Sequence, residues 1–274
     1  MSVDISVIIP TFRRPKLLSE AIASALGQTG AWVEIIVIDD SPEASAREVL
    51  ERIGDSRVRY LKNPVPTGGK PSAVRNLGWQ LAQGAFIHLL DDDDIVPDGH
   101  YAAVKKIFYK HPEVGVVFGR IEPFGDAPEE QLRHEREFFG DAARRALLCS
   151  RLGPKWGFTA CMMFRRTLLI SSAGVLRREC VQKVGGFDPQ IRIGEDVDFY
   201  ARVFRNSGAY FVDRVSLKFR VGHTSLMHSC APDETEAQQL REARRRTHAG
   251  YRAERGALEF YLLKAFAHGV LRFL

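Results

Sequence analysis

The sequence predicts an α/β protein, a mainly parallel sheet flanked by helices with a helical C-terminal extension, on three observations. Short apolar runs alternate with helix-patterned segments through the first 120 residues. Polar clusters sit directly after several of those runs. Beyond residue 230 the chain becomes basic and amphipathic, which divides it into a body of residues 1–230 and an extension of residues 231–274.

Ile5 to Ile9, Ile35 to Ile38, Val58 to Leu61, Phe86 to Leu90 and Val114 to Phe118 read as strands. Between the first two, Leu17, Leu18, Ala21, Ile22 and Ala25 recur at helical spacing after Pro15, a residue suited to a first helical turn. A second helix fits Ser72 to Ala82. Residues 122 to 155 break the rhythm, and their charged run from Glu129 to Glu137 reads as an exposed helix or loop inserted after the fifth strand. Then follow Trp156-Gly157-Phe158, Gly185-Gly186-Phe187-Asp188, and Gly194-Glu195-Asp196-Val197-Asp198, which opens a helix carrying Phe199, Val203 and Phe204.

At 274 residues, with 45% hydrophobic and 27% charged residues, the chain can bury a substantial core. Met1-Ser2-Val3-Asp4 lacks a basic n-region, and the apolar stretch from Ile5 stops at Pro10, so the reading is a cytoplasmic protein. Four cysteines, Cys149, Cys161, Cys180 and Cys230, form no C-x-x-C pair, which argues for reduced, mostly buried thiols rather than zinc or a disulfide framework. Residues 241 to 274 carry eight Lys or Arg against three Asp or Glu, so the whole net charge of +5 lies in the tail. A body that sums to zero weakens a nucleic-acid reading, which calls for a basic stripe on the folded surface, so no nucleic-acid partner is expected.

A sheet of this kind binds ligands at the carboxyl ends of its strands. Pro10-Thr11-Phe12-Arg13-Arg14 follows the first strand, Asp39-Asp40-Ser41 the second, and Asp91-Asp92-Asp93-Asp94 the fourth. Four adjacent carboxylates repel one another, and a hard divalent cation relieves that repulsion. The alternative is a solvated acidic turn capping the helix that begins near Asp98.

In order along the chain, Val7-Ile8-Ile9-Pro10-Thr11-Phe12-Arg13-Arg14, Val37-Ile38-Asp39-Asp40-Ser41, Val74-Arg75-Asn76-Leu77-Gly78, Leu90-Asp91-Asp92-Asp93-Asp94, Gly185-Gly186-Phe187-Asp188 and Gly194-Glu195-Asp196 resemble the motifs of family 2 glycosyltransferases. The resemblance spans roughly residues 4 to 225. It implies the glycosyltransferase A fold, a Rossmann-like sheet that binds a nucleotide-diphosphate sugar and Mg²⁺ or Mn²⁺. It also implies that Pro10 and Thr11, with Arg13 and Asp40 of the same two segments, line the nucleotide pocket, that Asp39 meets the base, and that Arg75 lies near the diphosphate. Asp91 and Asp93 match the D-x-D pair around Asp92, with Asp93 the direct metal ligand. His223 of Phe219-Arg220-Val221-Gly222-His223 would reach the diphosphate or metal, a role for which His228 competes.

Asp196, in a segment similar to the family's E-D motif, would be the base that takes the acceptor hydroxyl's proton, giving transfer with inversion. Carboxylates at a helix start also favour the dipole without any catalytic role. The sequence departs from the family pattern at Asp92, where a small polar residue is usual, at the extra Asp94, and in a segment to Pro97 one residue shorter. Gln238-Gln239-Leu240-Arg241-Glu242 stands where processive synthases of the family carry Q-x-x-R-W, and Glu242 in place of Trp points to a non-processive enzyme adding one sugar. The setting implied is cell-surface polysaccharide or lipopolysaccharide assembly on a glycan or lipid-linked acceptor.

Two rivals remain. A sugar nucleotidyltransferase shares the sheet and the acidic ligands, but its Gly-rich loop after the first strand has no counterpart in Pro10-Thr11-Phe12-Arg13-Arg14. A non-catalytic scaffold of the same fold would have lost the metal or base residues. In the tail, Leu258 to Leu274 is apolar apart from Glu259, Lys264, His268 and Arg272. It is too interrupted to span a bilayer, and is read either as a helix lying at a membrane surface or as one packed on the domain.

Overall fold

The computed structural model describes residues 3–68, 70–165, 167–222 and 235–271. Seven strands form one sheet: β1 (Ile5–Thr11), β2 (Val33–Asp39), β3 (Val58–Lys62), β4 (Phe86–Leu89), β5 (Val116–Phe124), β6 (Gly174–Arg177) and β7 (Ala209–Arg220), in the order β3-β2-β1-β4-β6-β5-β7. Its helices are α1 (Pro15–Leu26), α2 (Arg47–Ile53), α3 (Pro71–Gln80), α4 (His100–Lys110), α5 (Glu129–Arg151), α6 (Trp156–Phe164), α7 (Arg178–Val184), α8 (Glu195–Ser207), α9 (Glu236–Arg255) and α10 (Ala257–Gly269).

β1 pairs in parallel with β2 and β4, β2 with β3, and β5 with β7, while β6 runs antiparallel to β4 and β5. The mainly parallel expectation therefore holds with one reversed strand. β1 and β2 are apolar along nearly their whole length because helices cover both faces, and Ile5, Val7, Ile8, Ile9, Ile35, Val37 and Ile38 are fully buried. A Cβ on Gly78 would stand 2.2 Å from Ile8 Cγ2, so its bare backbone lets α3 lie directly on β1. α1 starts at Pro15, and Leu18, Ala21, Ile22 and Ala25 form its buried stripe; each large side chain in it contributes about 1.5–3 kcal/mol by leaving water.

The chain moves outward from β1 through β2 to β3, then returns to place β4 on β1's other side. That reversal opens a crevice at the carboxyl ends of β1 and β4. β5 begins two residues later than the sequence suggests and runs on to Phe124. The charged insertion is helical, as α5. Its inward positions Phe139, Ala142, Ala146 and Cys149 are buried.

The extension is two helices. α9 opens with a capping box in which Gln238 N–H donates to Thr235 Oγ1 and Thr235 N–H donates to Gln238 Oε1, so Gln238 is occupied with helix initiation. Phe260, Leu263, Ala267 and Leu271 join the same core as the sheet, with Phe260 against Phe164 and Phe266 against Trp156. Glu259 accepts from Arg205 and from the Tyr251 hydroxyl. The packed reading of the tail describes this inner face. Among the described residues, no helix is long and apolar enough to cross a membrane. Cys149, Cys161 and Cys180 are buried and in no disulfide, as read from the sequence; Cys230 lies outside the described residues.

Candidate active site

β1 and β2 end in register at Thr11 and Asp39, and β4 delivers the aspartates beside them. The loop after β2 is tied by its own carboxylates. Asp39, fully buried, accepts from the Ser41 N–H and hydroxyl, from the Ala46 N–H and from the Tyr60 hydroxyl. Asp40 accepts from Asn63 Nδ2 at 2.6 Å and from both the N–H and hydroxyl of Thr67. Pro10 is half-buried next to Thr11. Arg13 turns outward to an exposed pair with Glu43, its backbone in the left-handed region at φ 58°, and Ala44 opposite sits at φ 61°. Two non-glycine residues in that region, one in each loop, mark strain at the crevice rim.

The four aspartates have four different environments. The Thr11 hydroxyl donates to Asp92 Oδ2 at 2.6 Å, and Arg14 reaches both Asp92 and Asp93. Asp94 points inward, accepting from the Ser172 hydroxyl and from the Arg220 N–H at 3.1 Å, while Arg220 Nε caps the Asp93 carbonyl. Burial, then the Asp93 charge, raises the Asp92 carboxyl to about 7, and burial with Asp93 and Asp91 raises Asp94 well above the usual range. Asp94 is thus a buried structural carboxyl. Asp91 and Asp93 are the more exposed of the four, Asp92 and Asp94 being buried.

Asp91 is joined across the crevice to the start of α8. Arg75 on α3, 4% exposed, donates to Asp91 Oδ1 at 2.6 Å and to Glu195 Oε1 at 2.8 Å. Burial alone would lower the guanidinium's pKa, but Asp91 and Glu195 outweigh it and the net shift is upward. Neighbouring Asn76 holds the second wall: its Nδ2 donates to the Phe187 carbonyl and its Oδ1 accepts from the Phe187 N–H and from Trp79 Nε1. A Cβ at Gly186 would meet Asn76 Oδ1 at 2.4 Å, whereas at Gly185 only the positive φ of 74° favours glycine. Gly194, at φ 79°, caps α8, whose first residue Glu195 reaches Arg75. Burial, then the Glu195 charge, lifts Asp196 to about 7, with Arg75 pulling against it.

Of the residues singled out in the sequence, Thr11, Arg75, Asp91, Asp92 and Asp93 meet at this crevice, with Asp196 within electrostatic reach of Arg75 and Asp91. Arg13 stands at its rim, and Asp39 and Asp40 underpin its β2 wall. His223 and His228 lie outside the described residues. His88, inside the strand that feeds the aspartates, is a packing residue: its Nε2 faces the Ser172 carbonyl, which can only accept, so Nδ1 accepts from the Tyr101 hydroxyl at 2.7 Å. Burial holds it neutral, near 4. Sequence reasoning quoted Arg14 and Asn76 inside motifs without giving them work; only the folded chain shows their partners.

The profile of the family described as Glycosyl transferase family 2 matches residues 6–171, which include most of β1, β2, Arg75 and the four aspartates. The chain belongs to glycosyl transferase family 2. Over 131 residues it is 38% identical to the Campylobacter jejuni "GalNAc(5)-diNAcBac-PP-undecaprenol beta-1,3-glucosyltransferase", covering 46% of this chain and 41% of that one. It is 27% identical to an uncharacterised glycosyltransferase of Rickettsia prowazekii over 245 residues, 87% of this chain and 68% of that one. The S. aureus TarS 1-349 structure in complex with UDP-GlcNAc superposes with a TM-score of 0.60 at 16% identity, covering 95% of this chain and 78% of that one. The fold is therefore the glycosyltransferase A type. The chain spans less than half the length of most of the curated relatives it matches.

The donor set suits a hard cation. Mg²⁺ takes one or two carboxylates and completes its shell with water and substrate phosphates. Asp91 and Asp93 keep 30% and 13% of their side-chain surface. No three His, Cys, Asp or Glu side chains converge into a ready-made cage among the described residues, so phosphate oxygens of a donor would have to complete the shell.

Proposed function

We propose that this protein transfers a single sugar, with inversion, from a nucleoside-diphosphate sugar to a hydroxyl of a glycan or lipid-linked acceptor. One observation carries the reading: Arg75 ties Asp91 at the end of β4 to Glu195 at the start of α8, the neighbour of Asp196. A polar ligand belongs there, because Arg75 Nε is buried without a partner among the described residues. The names of relatives and neighbours, an undecaprenol-linked glucosyltransferase and a UDP-GlcNAc complex, support a UDP-sugar donor and a lipid-linked acceptor in surface-polymer assembly.

In this reading the donor's diphosphate would sit beside the Arg75–Asp91 pair and Asp93, with its nucleoside against Pro10, Thr11 and the loop that Asp39 and Asp40 brace. Asp91 and Asp93 would hold Mg²⁺ or Mn²⁺, which neutralises leaving-group charge when bound. Asp196 takes the proton of the acceptor hydroxyl. That oxygen attacks the anomeric carbon from the face opposite the diphosphate, the C–O bond to phosphate breaks, and the nucleoside diphosphate leaves. One displacement inverts the anomeric centre, and no residue is assigned a covalent intermediate. A carboxyl near 7 is half-ionised at neutral pH and basic enough to accept the proton, a balance suited to a general base.

Asp196→Asn tests this. It removes the base with little change of shape, so transfer falls at least 10²-fold while nucleotide affinity stays within a few-fold. Wild-type transfer rates in the variant would eliminate Asp196 as the base.

A further inference from the structure

α10 has two apolar faces and only one is covered. Phe260, Leu263 and Ala267 point into the core, while Leu258, Leu262, Ala265 and Gly269 align on the opposite pole at 100° per residue. Leu258 is 76% exposed, Leu262 53% and Tyr261, beside them, 56%. A helix apolar on both poles is ordinarily covered on both. Exposed cations border the open pole. His268 lies at its edge on α10, Lys264 lies between that edge and Phe260, and α9 presents Arg241, Arg244, Arg245 and Arg252, with Arg252 5.3 Å over the Phe260 ring. Arg241, Arg244 and Lys264 have no acidic partner among the described residues, whereas Arg245 pairs with Glu242.

We propose that the outer face of α10, with the basic ridge of α9 beside it, docks on an anionic lipid surface. Leucine and tyrosine side chains enter the headgroup boundary while Lys and Arg meet lipid phosphate. A second copy of the chain fits less well. Three large side chains fall far short of the roughly 20–30 residues a side in a stable interface. A two-fold contact would also set the basic ridge against itself. Spanning is excluded for this helix by its 13 residues and by the Glu259–Arg205 pair. The proposal deepens the lipid-linked acceptor reading, since docking would bring the crevice to the surface where such an acceptor lies, but its test does not depend on catalysis.

The test is co-sedimentation of the full-length protein with vesicles of phosphatidylcholine alone or mixed with phosphatidylglycerol. Binding is expected only to the anionic vesicles and should weaken with salt. The double variant Leu258→Ser/Leu262→Ser should lose at least tenfold in vesicle affinity, with unchanged circular dichroism and nucleotide binding. Lys264→Glu should weaken the preference for phosphatidylglycerol at least several-fold. No binding to anionic vesicles, or binding that these variants leave unaltered, overturns the proposal. So does a concentration-dependent dimer, measured by light scattering without lipid, that the double variant abolishes. Vesicle binding with no nucleotide binding would instead keep the membrane proposal and reject the transferase reading.

Discussion

Arg75→Met removes the charge that joins three elements while keeping most of the side chain's volume. The guanidinium is nearly buried and holds Asp91 and Glu195, whose side chains are 30% and 12% exposed, and it lies 5.5 Å from the Phe187 ring centroid. Taking one partner from a buried ion pair costs about 3–5 kcal/mol, because the opposite charge stays behind. Water reaches Asp91 well enough to screen its part, so the lower end, about 3 kcal/mol, is expected. Glu195 and Asp196 would then sit side by side without their cation, which adds repulsion at the start of α8. Urea unfolding read by fluorescence and circular dichroism measures the change. Arg75→Lys, which keeps the charge but not the two-pronged geometry, should lose less than Met. A loss below about 1 kcal/mol for Met would mean that the bridge behaves as a solvent-screened surface pair, and the claim that Arg75 organises the crevice would fail.

Asp196 must be ionised to act as base, so kcat/KM should fall as pH drops below about 7; a rate independent of pH across neutrality would contradict the assignment. The raised carboxyls also set a stability trend. Asp92 and Asp196 shift from 3.8 to about 7 on folding, so between those values the native state holds more protons than the unfolded one, and their contribution to stability falls as pH rises through that window. Asp92→Asn should flatten the slope of urea midpoint against pH. The two glycines of the 185–186 turn should separate: both have φ near 75°, but a Cβ on Gly185 meets nothing within 4 Å whereas one on Gly186 strikes Asn76. Gly185→Ala should cost about 1–2 kcal/mol from backbone alone and Gly186→Ala clearly more, and equal losses would remove Asn76 from the account.

The first half of the sheet was legible because parallel strands buried on both faces leave unbroken apolar runs, and because the polar turns after them are where such folds keep ligands. β6 and β7 were not. Gly174-Val175-Leu176-Arg177 is too short to show a period, and β7 mixes exposed and half-buried positions over twelve residues with an irregular register against β5. α6 hid for the opposite reason: seven of its nine residues are buried, which erases the amphipathic stripe by which helices are recognised. Within the site, the sequence placed Asp91 to Asp94 together but could not rank them. Their differences come from Thr11, Arg14, Ser172 and Arg220, which lie 78 to 126 positions from the aspartates they touch. The role of Asn76 was hidden for the same reason, its partners lying 111 positions on at Phe187. In the tail, the sequence left packing and membrane contact open because α10 is apolar on two faces, of which Phe260, Leu263 and Ala267 pack on the core while Leu258 and Leu262 stay exposed.

The most direct test of nucleotide-sugar transfer is calorimetric titration of the full-length protein with UDP, GDP, CMP and dTDP, first with Mn²⁺ and then with EDTA. The account predicts saturable binding of one nucleoside diphosphate, UDP first among them, that weakens when the metal is chelated and survives Asp196→Asn. Failure of every nucleotide to bind in the presence of metal would contradict it, and Asp91 to Asp94 would then be a structural turn on a scaffold of the same fold.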